Sequence, residues 1–299
     1  MNPVASHKLF ALLITASVII WWKVLIAIFS LAWSNDAYTH ILLIVPISLT
    51  LIVLKWKKES LRAVLNVRAG ALLLGLAVLI GLAGSQWGKS SFLGREARLS
   101  VEAAAIVTWW IASFTLCYGA RALRRSLFPV LFLFWLVPMP PFLLNQVVRC
   151  LQEGTASTAR VLFMMSGVPV NQRDTILSVP GISVEIAQEC SSIRSSMLLV
   201  VTSMVMSYVL LRSSWSRALI MLAALPLSIL KNGVRVFTLA ALAAYFDPAV
   251  LKSRLHHQGG ILFFAAALGA VVGLIWLLAY LEHRQTPPTA MRLSTSGAQ

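Results

Sequence analysis

Cys190, Arg235 and His256 bring a thiol, a guanidinium and an imidazole to a chain that is otherwise overwhelmingly apolar. A thiolate attacks an acyl carbon, a cation stabilises the oxyanion that forms, and an imidazole moves a proton to the leaving group. Cys190 stands in Glu189-Cys190-Ser191-Ser192-Ile193-Arg194, a polar sextet abutting an apolar run. Arg194, four residues on, shares a face with the thiol if a helix has begun there, and a nearby cation lowers a thiol's pKa. Asn232-Gly233-Val234-Arg235 places a cation inside a hydrophobic segment, with Asn232 three residues earlier on the same face to orient it. His256 and His257 follow Asp247-Pro248 and precede Gly259-Gly260. Glu189 is the carboxylate best placed to orient a base.

Each group also has a plainer reading. Cys190 is equally a buried cysteine or one half of a bridge to Cys150. Arg235 is equally a structural cation paired to Glu185, Glu189 or a loop carbonyl. Adjacent histidines near a membrane surface are commonly interfacial. What favours chemistry is that all three groups flank or enter apolar segments on one predicted side of a membrane.

The elements that must position them are membrane helices. The chain has 299 residues, 59% of them hydrophobic and 12% charged, with a mean hydropathy of +0.82. Soluble chains carry roughly 25% charged residues. Apolar runs recur along the length, and in lipid only helices or closed barrels satisfy their own backbone. Runs this long exclude the alternation of barrel strands, so the fold class is all-α, a polytopic transmembrane helical bundle. Eight spans are predicted, near residues 9–31, 41–54, 69–85, 101–118, 127–148, 197–211, 217–245 and 260–281. Lys23 falls inside the first and is expected to face the bundle or snorkel.

The net charge of +15 belongs mostly to short loops, as membrane topology requires, and no nucleic-acid motif accompanies it. Basic residues between spans two and three, four and five, and six and seven orient those loops and both termini to the cytoplasm. Cys190, His256 and the Arg235 end of span seven then emerge on the extracytoplasmic face. The apolar run at the N-terminus is too long for a cleavable signal peptide. Three cysteines, Cys117, Cys150 and Cys190, make neither a disulfide framework nor a metal cluster, and no cofactor motif is present. The longest stretch outside the spans, 149–194, contains an expected amphipathic or re-entrant helix from Thr155 to Met165. Strand, Pro180-Gly181 turn and strand follow over 175–186, an extracytoplasmic β-hairpin before Cys190. Residues 1–285 are read as one integral membrane domain and 286–299 as a disordered cytoplasmic tail.

These residues resemble the exosortase/archaeosortase family of membrane-embedded cysteine transpeptidases. Cys190-Ser191-Ser192-Ile193-Arg194 is similar to the family's Cys-Ser-Gly-x-Arg, with serine in place of glycine. Asn232-Gly233-Val234-Arg235 is similar to Asn-x-x-Arg. His256-His257-Gln258-Gly259-Gly260 resembles His-x-x-x-Gly and selects His256 over His257. Tyr38-Thr39-His40 with Pro46, and Pro138-Met139-Pro140, fit as well. The likeness covers roughly residues 35–264. It implies a plasma-membrane enzyme that cleaves exported proteins at a C-terminal sorting signal, composed of a short motif, a membrane helix and a basic cluster. It further implies a Cys190 thioester and transfer to an acceptor, without a metal or organic cofactor.

Two other classes fit parts of the pattern. A membrane transporter would use Arg235 and His256 in a substrate pathway, with inverted repeats that are not evident by eye. A membrane thiol oxidoreductase would use Cys150 and Cys190 as a redox pair, but no Cys-x-x-Cys is present.

Overall fold

The computed structural model describes residues 3–58, 65–87, 94–180, 182–186, 193–245 and 260–285. It is mostly helical, with six helices long and apolar enough to cross a membrane, or up to eight if each of two bent pairs is one span. The chain is thus a multi-pass integral membrane protein carrying a small antiparallel sheet. It divides into two compact units, Met1–Arg149 and Cys150–Gln299.

The first unit contains α1 (Pro3–Ile20), α2 (Trp22–Ser34), α3 (Ile41–Lys58), α4 (Val67–Trp87) and α5 (Arg95–Arg125). Next come the short α6 (Leu127–Leu131), a 3-10 turn (Phe132–Leu136) and the start of α7 (Pro141–Met165). The most buried helix is α5, and small residues let its neighbours approach it closely. A Cβ on Gly70 of α4 would stand 2.4 Å from Leu116 Cβ. Gly119, at φ 83°, puts a kink in α5 that only glycine adopts without strain. The indoles of Trp109 and Trp110 donate to the Leu13 carbonyl at 3.0 Å and to Ser17 Oγ at 2.9 Å, tying α1 to α5.

Two expected single spans are bent. The first run breaks at Trp21, so α1 and α2 meet at 76°. Trp21 leaves the helical conformation and turns its indole into the unit, edge-on to Trp109 and over Gly81. Lys23 is exposed beside this break, its ammonium 5.7 Å from the Trp22 ring centroid. The run at 127–148 breaks at Pro138, Pro140 and Pro141, and its halves meet at 95°. Proline has no N–H to donate and disfavours helix in the residue before it. The helix expected separately from Thr155 to Met165 is the second half of α7.

The second unit holds the rest of α7, the strands β1 (Asn171–Arg173), β2 (Ile176–Val179) and β3 (Ile182–Glu185), α8 (Ile193–Leu210), α9 (Ser214–Tyr245) and α10 (Gly260–Gln285). The predicted hairpin is β2–β3, with Val179 opposite Ile182 across the two-residue turn. Strand β1 was not expected; Asp174, at φ 51°, turns it back onto β2. The sheet has an apolar underside. Leu177 and Ile186 pack with Ala156 and Ala159 of α7 and Val236 of α9, while Val179 joins Phe163 and Ala240. A second cluster, Leu199, Leu211, Ile220, Ala267, Val271 and Ile275, joins α8, α9 and α10. The expected tail, 286–299, lies outside the described residues.

Candidate active site

Helix α9 carries the Asn232-Gly233-Val234-Arg235 segment, and three neighbours fix it. Gly154 and Gly233 bring α7 and α9 together. A Cβ on Gly154 would meet Ile229 Cγ2 at 2.9 Å, and one on Gly233 would meet Thr158 Cγ2 at 2.4 Å and Cβ at 2.5 Å. Backbones that approach this closely need glycine at the contact. The glycine between Asn232 and Arg235 is therefore a packing requirement of the segment.

The first turn of α8 is fastened to α9 by two adjacent polar contacts. Lys231 Nζ donates to Ser195 Oγ, and Asn232 Nδ2 donates to Ser196 Oγ at 3.3 Å. Lys231 is 6% exposed, Asn232 0% and Ser196 3%. Both hydroxyls belong to the start of α8, so these bonds set where that helix begins relative to α9.

Arg235 is half-buried and borders α10. A Cβ on Gly260 would lie 3.7 Å from its Nη1 and 3.8 Å from its Cζ. The sheet is tied to the same helices. Gln152 Nε2 of α7 donates to the Ile186 carbonyl at 3.0 Å, and Ile186 N donates to the Thr175 carbonyl at 2.9 Å. Ile186 is fully buried, so the strand end leading toward Cys190 is anchored on its last described residue.

Of the predicted site residues, the structure brings Asn232 and Arg235 to the junction of α8, α9 and α10. Arg194 is exposed in the first turn of α8. Cys190, Glu189, His256 and His257 lie outside the described residues. Cys190 is three residues before Ile193 in the chain, and His256 is four before Gly260. Glu185, considered as a partner of Arg235, is exposed on β3. Cys117 is buried and Cys150 exposed. Among the described residues no group of three or more His, Cys, Asp or Glu side chains has the arrangement of a metal site.

In the first unit, the two other motif segments meet each other. Tyr38 Oη donates to the Met139 carbonyl at 2.9 Å. The buried His40 ring stands edge-on to Trp135 at 5.9 Å. Pro46 lies inside α3.

Residues 32–273 match the model of the Transmembrane exosortase (Exosortase_EpsH) family. The chain belongs to the transmembrane exosortase family. No curated protein and no solved structure matches it. Family membership implies a transpeptidase acting on proteins that carry sorting signals. The residues that sequence reasoning passed over in this exosortase are Lys231, Ser195, Ser196, Gly233 and Gln152. A lysine inside an apolar segment is itself a signal of function. The other four gain their roles only from partners on other elements.

Proposed function

We propose that this exosortase is a cysteine transpeptidase in which Cys190 is the nucleophile, Arg235 the oxyanion donor and His256 the proton carrier. The Cys190 thiolate attacks the carbonyl carbon of the scissile peptide within the sorting signal. Arg235 donates to the oxygen that gains charge. The C–N bond then breaks, the amine takes a proton from His256, and the exported protein is held as a thioester. An acceptor nucleophile next loses its proton to His256 and attacks the thioester. The C–S bond breaks and the thiolate returns. These steps balance with side chains alone.

The observation that carries this reading is the junction of α8, α9 and α10 around Asn232 and Arg235. Chain length does the rest. Three residues reach at most about 11 Å and four about 14 Å. Cys190 is within that reach of Ile193, where α8 starts, and His256 within it of Gly260, where α10 starts. One thiol and one imidazole are leashed to the ends of helices that flank a half-buried guanidinium. In a partly dehydrated site that cation stabilises an oxyanion far more than it would in water.

Both termini face the cytoplasm in this reading and the site opens on the extracytoplasmic side. Residues 1–285 form the membrane enzyme and 286–299 its cytoplasmic tail. Substrates are exported proteins whose C-terminal signal includes a membrane helix. Such a helix confines the scissile bond to the plane of the bilayer and raises its effective concentration at the site.

The test is processing of a co-expressed exported protein bearing such a signal. Cys190→Ala inserts in the membrane and leaves the precursor uncut. Precursor maturation at the wild-type rate by Cys190→Ala would end the reading.

A further inference from the structure

The three-stranded sheet of the second unit ends in an unpaired edge along β3. The Ile186 amide donates to the Thr175 carbonyl, and antiparallel strands bond at every second residue pair. Thr175–Ile186 and Leu177–Val184 are therefore bonded pairs, while Ile176–Glu185 and Ser178–Ser183 are the open pairs between them. Residues at open pairs turn their backbone groups away from the partner strand. The N–H and C=O groups of Ser183 and Glu185 thus point off the outer edge of β3, where the order β1-β2-β3 ends. Among the described residues no group bonds to these four. Native sheets blunt such an edge with lysine, proline or a bulge. Strand β3 has no lysine or proline, and its register with β2 is unbroken. Its one charge, Glu185, lies with Ser183 on the exposed face. Side chains there stand across the sheet and leave the edge groups open.

The other face of β3 is apolar. Val184 packs with Phe163, Val179 and Ala240, and Phe237, Ala241 and Ala244 of α9 join that cluster while only half-buried. A chain laid along β3 would alternate its side chains between this apolar side and the exposed side. Only an extended peptide presents donors and acceptors at the two-residue spacing of the edge. A helix has already bonded its own backbone, and a lipid tail has no polar group to offer. Family membership implies substrates that carry sorting signals, and β3 runs through the anchored Ile186 toward residue 190, four positions on. We propose that the outer edge of β3 binds the short motif of the sorting signal as a fourth strand, through main-chain hydrogen bonds to Ser183 and Glu185. Pairing of this kind holds the motif extended and in one register. Its main chain supplies affinity, and the side chains turned toward α9 supply selectivity. The inference takes its occupant from the transpeptidase reading; the surface itself is Ser183, Val184, Glu185 and their neighbours on α9.

The test reads binding rather than turnover. The protein is the full-length Cys190→Ala chain in nanodiscs, and the probe is a synthetic peptide copying the C-terminal signal of the co-expressed precursor. A series of such peptides carries one N-methylated residue at successive positions, each removing one main-chain donor. Across the motif, methylation at every second residue weakens binding about tenfold, and methylation at the residues between leaves it within about threefold. A profile without that two-residue period overturns the inference. On the protein side, Ser183→Pro deletes one edge donor at a position where a strand tolerates proline. It weakens binding about tenfold and keeps an unfolding midpoint close to wild type. Gln172 faces Leu177, whose backbone is turned to β3, so Gln172→Pro makes the same change on the outer edge of β1. That variant binds the peptide as wild type does. Equal weakening by both prolines, or by neither, overturns the assignment to β3. So does a dimer that Ser183→Pro converts to monomer with peptide binding intact, because the edge then belongs to a second copy of the chain. If Ser183→Pro is not recovered from membranes, the N-methyl series decides alone. Precursor cleavage by Cys190→Ala would sink the nucleophile assignment and leave the edge to be judged by its two-residue period.

Discussion

The guanidinium of Arg235 faces the empty side-chain position of Gly260, with Nη1 3.7 Å from where a Cβ would stand. That distance is ordinary van der Waals contact, so one added methyl fits and a larger side chain does not. Gly260→Ala is expected to keep processing within about threefold of wild type, since it displaces nothing and favours helix. Gly260→Ile pushes branched carbons into the space of the guanidinium and lowers processing about a hundredfold, a loss of roughly 2.7 kcal/mol of transition-state stabilisation. Comparing the two rates at equal membrane abundance separates crowding of Arg235 from loss of glycine itself.

Gly233 gives the opposite result with the smallest possible change. Its Cβ would lie 2.4 Å from Thr158 Cγ2 and 2.5 Å from Thr158 Cβ. Neither atom is the end of a flexible chain, and the Thr158 hydroxyl is engaged with the Gly154 carbonyl at 2.8 Å. Gly233→Ala therefore forces α7 and α9 apart, at a cost of about 1–3 kcal/mol. Thermal unfolding in detergent registers that loss as a lower midpoint, and processing falls because Asn232 and Arg235 move with the helix.

Much of this was legible in the chain, and the reasons for the remainder are physical. Long apolar runs gave the helices, because a segment that crosses lipid must satisfy its backbone alone. Residues 175–186 gave the hairpin through β-branched residues around Pro180-Gly181. Strand β1 escaped because Asn171-Gln172-Arg173 has no apolar alternation and is held by its pairing with β2. The bend at Trp21 escaped because the run has no proline or glycine to mark it. What turns the chain is a ring contact with Trp109, 88 residues away. Prolines 138, 140 and 141 were visible as a motif, and their consequence for the helix is the 95° break. Arg235 and Asn232 stood out as polar groups in an apolar stretch. The burial of Lys231 depends on Ser195, which no local pattern reveals.

The first unit offers a test independent of the catalytic residues. Tyr38 is 1% exposed, and its hydroxyl donates to the Met139 carbonyl between two prolines. Tyr38→Phe removes one donor and leaves that carbonyl without its bond, a cost of about 1 kcal/mol. The unfolding midpoint drops accordingly, and hydrogen exchange rises at Leu143 and Leu144, whose amides donate to the adjacent Pro140 carbonyl. An unchanged midpoint and exchange pattern would mean that the prolines hold this turn without the tyrosine.

Gln152 connects the sheet to the helix that packs on Arg235's own helix, and it does so at the last described residue before the nucleophile segment. Its Nε2 donates to the Ile186 carbonyl, while the Ile186 amide is held by Thr175. The Ile186 side chain is buried against Ala156, Ala159 and Val236, so the strand stays docked when the glutamine is cut back. What Gln152→Ala removes is the fixed direction in which the backbone leaves residue 186. Cys190 is four residues on, and a displacement of about 1 Å at a reacting atom can cost a hundredfold in rate. Gln152→Ala is thus expected to insert and unfold much like wild type while processing the precursor about ten- to a hundredfold more slowly. Gln152→Glu, which offers an acceptor where a donor is needed, should be at least as slow. Rates equal to wild type in both variants would show that the packing of Ile186 alone positions the nucleophile segment.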